Sequence, residues 1–201
     1  FVLKWEFNYI DNLGKASALS TDQIDVENGS RYGIRYFDES NTPHHPIILH
    51  NSPSGAIERV VYALLEKAAL DQKEGRKAQL PLWLAPIQVR IIPLKDEFLS
   101  HCENLADRLS SQEIRVDIDD RNETLGKRIR ESETEWIRYT LVIGEKEVSK
   151  LNLSVRDRKT GESKELSFDD FVNEIKNQTK DKPFTKLNLA RLVSKRPQIM
   201  V

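Results

Sequence analysis

The sequence predicts two neighbouring domains of mixed class: an α+β domain built on antiparallel strands over residues 1–75, then a compact α/β domain with a mixed sheet over residues 82–201. Three observations carry this. Strand-like alternation dominates up to residue 50, the polar segment DQKEGRKAQL at residues 71–80 reads as a linker with little periodicity, and beyond it strand and helix patterns alternate.

Leu3, Trp5, Phe7 and Tyr9 alternate with Lys4, Glu6 and Asn8, the period of a half-buried strand. A second strand follows around Leu19 to Val26, and Tyr32, Ile34 and Tyr36 against Arg31, Gly33 and Arg35 predict a third. Asn28-Gly29 and Asp38 to Pro43 mark the turns between them. Pro46 to His50 is a short apolar run, expected of a strand buried on both faces. The Ser-Pro-Ser-Gly turn after it opens a helix with Ile57, Val60, Val61, Leu64, Leu65 and Ala68 at helical spacing. In the second domain, strands are expected at Val89 to Ile92, Ile114 to Ile118, Thr140 to Ile143 and Leu151 to Val155. Helices begin near Glu97, Glu123 and Ser167, the first turning Phe98, Cys102, Leu105 and Leu109 inward and the last Phe168, Phe171, Val172 and Ile175. The chain opens at Phe1, already in a strand pattern and without an initiator Met, so it reads as a fragment.

Lys plus Arg number 31 and Asp plus Glu 32, which excludes a global basic field that condenses on nucleic acid unselectively; any RNA contact must be a local patch. One cysteine, Cys102, excludes an internal disulfide framework and suits a reducing compartment. No apolar run approaches the roughly 20 residues of a membrane helix. A soluble cytoplasmic protein that touches no membrane is expected.

Four groups of residues suggest chemistry. Arg59, in Gly55-Ala56-Ile57-Glu58-Arg59, falls in the first turn of the helix laid on the first sheet, where a planar guanidinium could stack on an adenine ring and bond phosphate oxygens. It could equally be a surface arginine paired with Glu58 or Glu66. Thr21 and Gln23 lie two apart on a strand and so share a face, either to bond a small polar ligand or simply to meet water. His50 ends the predicted buried strand, as a satisfied core residue or as a ligand, and no second His or Cys at zinc spacing accompanies it. Residues 119–130, DDRNETLGKRIR, leave a strand for a helix, with Asp120 and Glu123 as a capping box. Lys127, Arg128 and Arg130 would then form a basic helical surface, supplemented by Arg156 and Arg158 from a later strand; it is either an RNA-reading face or a solvated one.

The strings ALSTDQIDV, PIILHNSPSGAIERVVYALLE, LPLWLAPIQVRIIPL, RVDIDDRNETLGKRIRE and YTLVIGEKEV, in this order and spacing, resemble threonyl-tRNA synthetases of the archaeal branch over nearly the whole chain. The resemblance implies the end of a class II catalytic domain built on an antiparallel sheet, followed by an anticodon-binding domain. GAIER is similar to motif 3 of class II synthetases, which gives Arg59 a catalytic role in holding ATP. Thr21 and Gln23 match substrate-pocket positions, and His50 matches one of three zinc ligands. Asn122, Arg130, Glu147 and Arg156 match anticodon-contacting positions. The resemblance thus implies ATP with Mg as substrate, Zn in the full-length enzyme, and threonine and tRNA(Thr) as partners, with a homodimer in the full-length form. The fragment alone is expected to be inactive as a ligase, because the other zinc ligands and motifs 1 and 2 have no counterpart here. The alternative is a tRNA-binding relative without ligase activity, either a trans-editing factor or a polymerase accessory subunit.

Overall fold

The computed structural model describes residues 2–150 and 152–197. They form two compact units, Phe1–Arg76 and Lys77–Val201. In the first, β1 (Leu3–Ile10) and β2 (Ala16–Asp25) make an antiparallel hairpin; α1 (Asn28–Arg31), β3 (Tyr36–Phe37) and β4 (Pro43–His44) follow, then β5 (Ile48–Ser52), which pairs antiparallel with the other side of β2. Helix α2 (Ile57–Lys73) completes the unit and reaches into the polar segment read as a linker. The hairpin turn is docked on α2 by side chains. Asp11 Oδ1 accepts the N–H groups of Leu13 and Lys15, its Oδ2 accepts the Tyr62 hydroxyl at 3.1 Å, and Glu66 accepts two bonds from Asn12 at 2.8 Å.

Two expectations for this unit fail. Residues 31–35 do not form a strand: Asp25 Oδ1 accepts the N–H groups of Glu27 and Asn28 at 2.9 Å each and turns the chain into α1, and the N–H groups of Tyr32, Gly33 and Ile34 bond back to the carbonyls of Asn28, Ser30 and Gly29, leaving only Tyr36 of the predicted strand in one, β3. The predicted buried strand at Pro46 to His50 lies two residues later and is not buried: β5 is the end strand of its sheet, and Leu49 keeps 74% of its surface.

The second unit runs β6 (Val89–Pro93), α3 (Leu99–Ser111), β7 (Val116–Ile118), α4 (Leu125–Thr134), β8 (Tyr139–Ile143), α5 (Glu145–Ser149), β9 (Asn152–Asp157), β10 (Ser163–Ser167) and α6 (Phe168–Thr179). Its five-stranded sheet has the order β10-β9-β8-β6-β7, with β6 parallel to β7 and β8, and with antiparallel β9 and β10 added as a hairpin. The strand β10 had no expectation in the sequence, and Leu151, the predicted start of the strand before it, lies outside the described residues.

Alternation along β9 sorts the two faces of this sheet. Leu153, Val155 and Asp157 are buried, and the first two join Cys102, Leu105 and Leu109 of α3 and Phe171, Val172 and Ile175 of α6 in one core. Arg156 points the opposite way and bonds Glu133 of α4 at 2.8 Å. One face therefore carries α3 and α6, and the other carries α4.

Helix α4 starts later than the capping box predicted. Thr124 is its N-cap, accepting the Lys127 N–H at 3.3 Å, while Asp120 instead accepts the backbone N–H and hydroxyl of Ser194, and Glu123 pairs with Lys127 at 2.6 Å. The intervening residues are held as a loop by Asp119 and Arg121, so the helix cannot begin among them.

Beneath this loop lies a buried ionic cluster. Arg90 and Asp117, both with fully buried side chains, face each other from β6 and β7 in a bidentate pair at 2.9 and 2.7 Å. Arg90 also reaches Glu135 at 2.7 Å, and Arg196 of the C-terminal segment reaches Asp117 at 2.9 Å. Burial works against the charge of Arg90, but its bonds to Asp117 and Glu135 outweigh it and raise its pKa. Asp117→Ala should leave that guanidinium buried with Glu135 as its one remaining ionic partner among the described residues, at a cost of about 3–5 kcal/mol in urea unfolding. Arg196→Ala should cost only about 1 kcal/mol, because Asp117 keeps both of its bonds to Arg90.

Candidate functional site

In the first unit the pairing register brings Thr21, Gln23 and His50 to one face. Thr21 stands opposite Ser52 and Gln23 opposite His50, and directly opposed residues of an antiparallel pair share a side. Gln23 Nε2 donates to Thr21 Oγ1 at 3.5 Å, and His50 is exposed rather than part of a core.

Arg59 reaches the same strand further along: its Nη1 donates to the carbonyl of Ala18 at 3.1 Å. This contact depends on two local features. A bulge between Phe7 and Asn8 leaves Leu19 without a pairing partner and aims its carbonyl at Gly55. Gly55 has φ +64°, and a β-carbon there would lie 3.0 Å from both that carbonyl and Arg59 Nη1. Neither alternative partner, Glu58 nor Glu66, is paired with Arg59 among the described residues. With Ser17, Ala18, Glu58 and Tyr62, Arg59 lines an open cleft of about 500 Å³.

In the second unit the expected basic surface is partly structural. Arg128 is buried and donates Nη1 to the carbonyls of Pro93 and Asp119 at 2.9 and 3.0 Å, joining the carboxyl ends of β6 and β7. Lys127 is tied to Glu123. Arg158 donates to the carbonyls of Glu133 and Ala78. Arg130 is exposed and has no ion-pair partner among the described residues.

Asn122 is exposed in the loop after β7, which Arg121 clamps by bonding Asp119 at 2.8 and 2.7 Å and Glu131 of α4 at 2.6 Å. Glu147 lies just after β8 and accepts the Gly144 N–H at 3.1 Å, so part of its carboxylate closes α5. Arg156, opposite Thr140, is bound to Glu133. Asn122 and Glu147 thus stand at the carboxyl edge of the parallel strands, where open α/β sheets bind ligands. Arg130 and Arg156 lie down the α4 face from there.

That face is half open. Ser154 and Arg156 of β9 are only partly buried, and Asn152, Ser163 and Glu165, on the same side by register, are exposed. Single strands of RNA are read on such surfaces, with cations for phosphates and amide or guanidinium groups for base edges.

Residues 88–178 match the family model of an anticodon binding domain. Along the whole chain, identity is 72% to a threonine–tRNA ligase of Nitrosopumilus maritimus and 61% to one of Cenarchaeum symbiosum, covering 32% and 33% of those proteins. The whole chain is homologous to threonine–tRNA ligases of the archaeal type. A threonine–tRNA ligase of Pyrococcus horikoshii is 50% identical over 98% of the chain and 32% of its own length. The crystal structure of the RNA binding domain of threonyl-tRNA synthetase from Cryptosporidium parvum shares the fold, with a TM-score of 0.67 at 24% identity over 86% of this chain and 42% of that one. The chain thus spans about a third of the length of its ligase relatives. Its second unit has the anticodon-binding fold of class II synthetases.

The charges of this anticodon-binding domain set its acid limit. Burial pushes the Asp119 carboxyl up, but the Arg121 hydrogen bonds outweigh it and hold the group below its ordinary 3.8; the Arg156 hydrogen bond likewise holds Glu133 below 4.5. Both pKa values are depressed in the folded state, so their stabilisation is complete above the ordinary values and is lost as pH falls through the folded ones. The melting temperature should fall steadily below about pH 4.5, and Arg121→Ala should flatten that limb. A Tm unchanged down to about pH 3 would count against both ion pairs.

Proposed function

We propose that this chain is part of a cytoplasmic threonine–tRNA ligase, in which residues 1–75 close a class II catalytic domain and residues 82–201 read the anticodon. The parent enzyme activates threonine with ATP and Mg and transfers it to tRNA(Thr), as a homodimer with no membrane contact. The observation that carries this reading is the unbroken similarity to ligases through both units, which a free-standing RNA-binding module would show only in the second.

The catalytic contribution assigned to this chain centres on Arg59. Fixed charge at its place in the cleft suits a triphosphate, while the flat guanidinium can lie on the adenine ring, a pair of tasks that Lys cannot perform together. Thr21 and Gln23 offer hydroxyl and amide groups on an adjacent stretch of strand to orient a small polar substrate. His50 is assigned as one zinc ligand. Among the described residues no group of three His, Cys, Asp or Glu side chains stands close enough to hold a metal. This chain therefore does not fit a zinc ion by itself, and the remaining ligands would have to come from elsewhere in the parent protein.

In the second unit, Asn122, Arg130, Glu147 and Arg156 are assigned to the anticodon. Their polar groups suit the edges of unstacked bases, and the Arg130 guanidinium has no ion-pair partner among the described residues.

Two measurements test the reading. In the parent enzyme, Arg59→Ala should reduce ATP–pyrophosphate exchange by on the order of 10²–10³, with tRNA affinity unchanged; exchange at the unmutated rate would sink the ATP assignment. In the present chain, Asn122→Ala or Arg130→Ala should cost about 1–3 kcal/mol of preference for a hairpin with a threonine anticodon over one with a changed anticodon. Full retention of preference in both variants would point to an RNA-binding relative that recognises another part of tRNA.

A further inference from the structure

One carboxylate sits in the middle of the proposed RNA-reading face. Glu133, in the last turn of α4, is three residues from Arg130 and therefore its neighbour on the helix surface. Its carboxylate takes Arg156 at 2.8 Å on one side and Lys77 at 3.6 Å on the other. Its backbone is also fixed: Arg158 Nε donates to its carbonyl at 2.8 Å, and the helix closes immediately after it with Trp136 at φ +59°. The three paired side chains remain accessible, Lys77 at 40%, Glu133 at 33% and Arg156 at 37% of their surfaces.

An acidic group is the wrong charge for a phosphate-binding surface, and Glu133 neutralises two of the cations that phosphate would use. The pair with Arg156 also spends only one edge of the guanidinium. Nη2 carries the bond to Glu133 and Nε is buried out of a ligand's reach, while Nη1 makes no hydrogen bond among the described residues. Arg156 is thus held in one orientation with donors left over. A base edge can accept from such a donor without displacing Glu133, whereas a phosphate must approach a carboxylate of like charge.

We propose that Glu133 is a positioning residue that determines specificity: it holds Arg156 and Lys77 back from phosphate and presents Arg156 to an unstacked base of the anticodon. This rests on the anticodon-reading function proposed above. Glu133 raises discrimination by suppressing the binding that all RNA loops would share.

The experiment compares this chain and its Glu133→Gln variant, which keeps the shape and removes the charge. Binding is measured for two RNA hairpins, one with a threonine anticodon and one with a changed anticodon, at two salt concentrations. Glu133→Gln should bind the changed hairpin more tightly, lose about fivefold or more of the preference for the threonine anticodon, and steepen the salt slope by about 0.7 for each cation released to phosphate. Adding Arg156→Ala should remove most of the gain. Equal weakening towards both hairpins with the slope unchanged would reduce Glu133 to a structural role and overturn the proposal, as would unchanged preference and slope. A gain that survives Arg156→Ala would overturn it too, since it would come from net charge alone. If the unmutated chain already binds both hairpins equally, the anticodon reading itself fails, an outcome separable from the others because it needs no variant.

Discussion

Arg90 is a cation with no access to water, and the arrangement of the second unit follows from where its charge is met. Asp117 matches it across two neighbouring parallel strands, Glu135 meets it from the end of α4, and Arg196 approaches the same aspartate from the C-terminal segment. A buried pair of this kind is weak evidence for net stability, since apolar residues could replace it at little cost. It is strict about geometry, however, because a bidentate fork tolerates no slip between β6 and β7. The C-terminal segment is set by the same carboxylate, and its backbone then bridges Ile118 and Leu192 along the outer edge of β7. That contact covers an edge which would otherwise be open to pairing with another chain.

Above this cluster, the cations divide by what they answer to. Arg128 and Arg121 bind the protein itself, one joining two strand ends and the other clamping the loop that carries Asn122. Arg156 and Lys77 are shared with a single carboxylate, and Arg130 faces solvent. A chain with 31 basic and 32 acidic side chains cannot attract RNA by net charge, so selectivity has to come from which few cations are left unspent.

This division marks the limit of what the sequence disclosed. In α3 and α6 spacing alone located the buried face: Cys102, Leu105 and Leu109 of α3 and Phe171, Val172 and Ile175 of α6 are inward as their period predicts. Elements decided by a single polar bond were misread. Asp25 folds the turn expected at Asn28-Gly29 into α1, whose end displaces the strand expected after it, and Thr124 rather than Asp120 caps α4. Lys127, Arg128 and Arg130 read as one basic helical surface, yet Arg128 is buried and Lys127 is tied to Glu123. The carbonyls that hold Arg128, those of Pro93 and Asp119, stand at the ends of two strands that only the fold brings side by side. The first unit shows the converse: Thr21, Gln23 and His50 are polar groups whose common face follows from pairing register, which their spacing along the chain does not contain.

The two units also differ in how much of their apolar surface they satisfy. In the second, one face of the sheet is closed by α3 and α6, and the open remainder is polar, with Ser154, Asn152 and Ser163 beside Arg156. In the first, Trp5, Phe7, Leu49 and Ile57 remain 57% or more exposed on a three-stranded sheet and its helix. Apolar side chains of that size each forfeit roughly 1.5–3 kcal/mol when left in water, so the first unit gains little from its own burial. The ligase relatives are about three times as long, and additional chain packed on these side chains would supply the missing burial. A cleft around Arg59 that must hold a nucleotide needs rigid walls, and rigidity follows from packing. The chemistry assigned to the first unit therefore depends on surface contributed from outside it, whereas the reading of RNA assigned to the second can be carried by a core that is already closed.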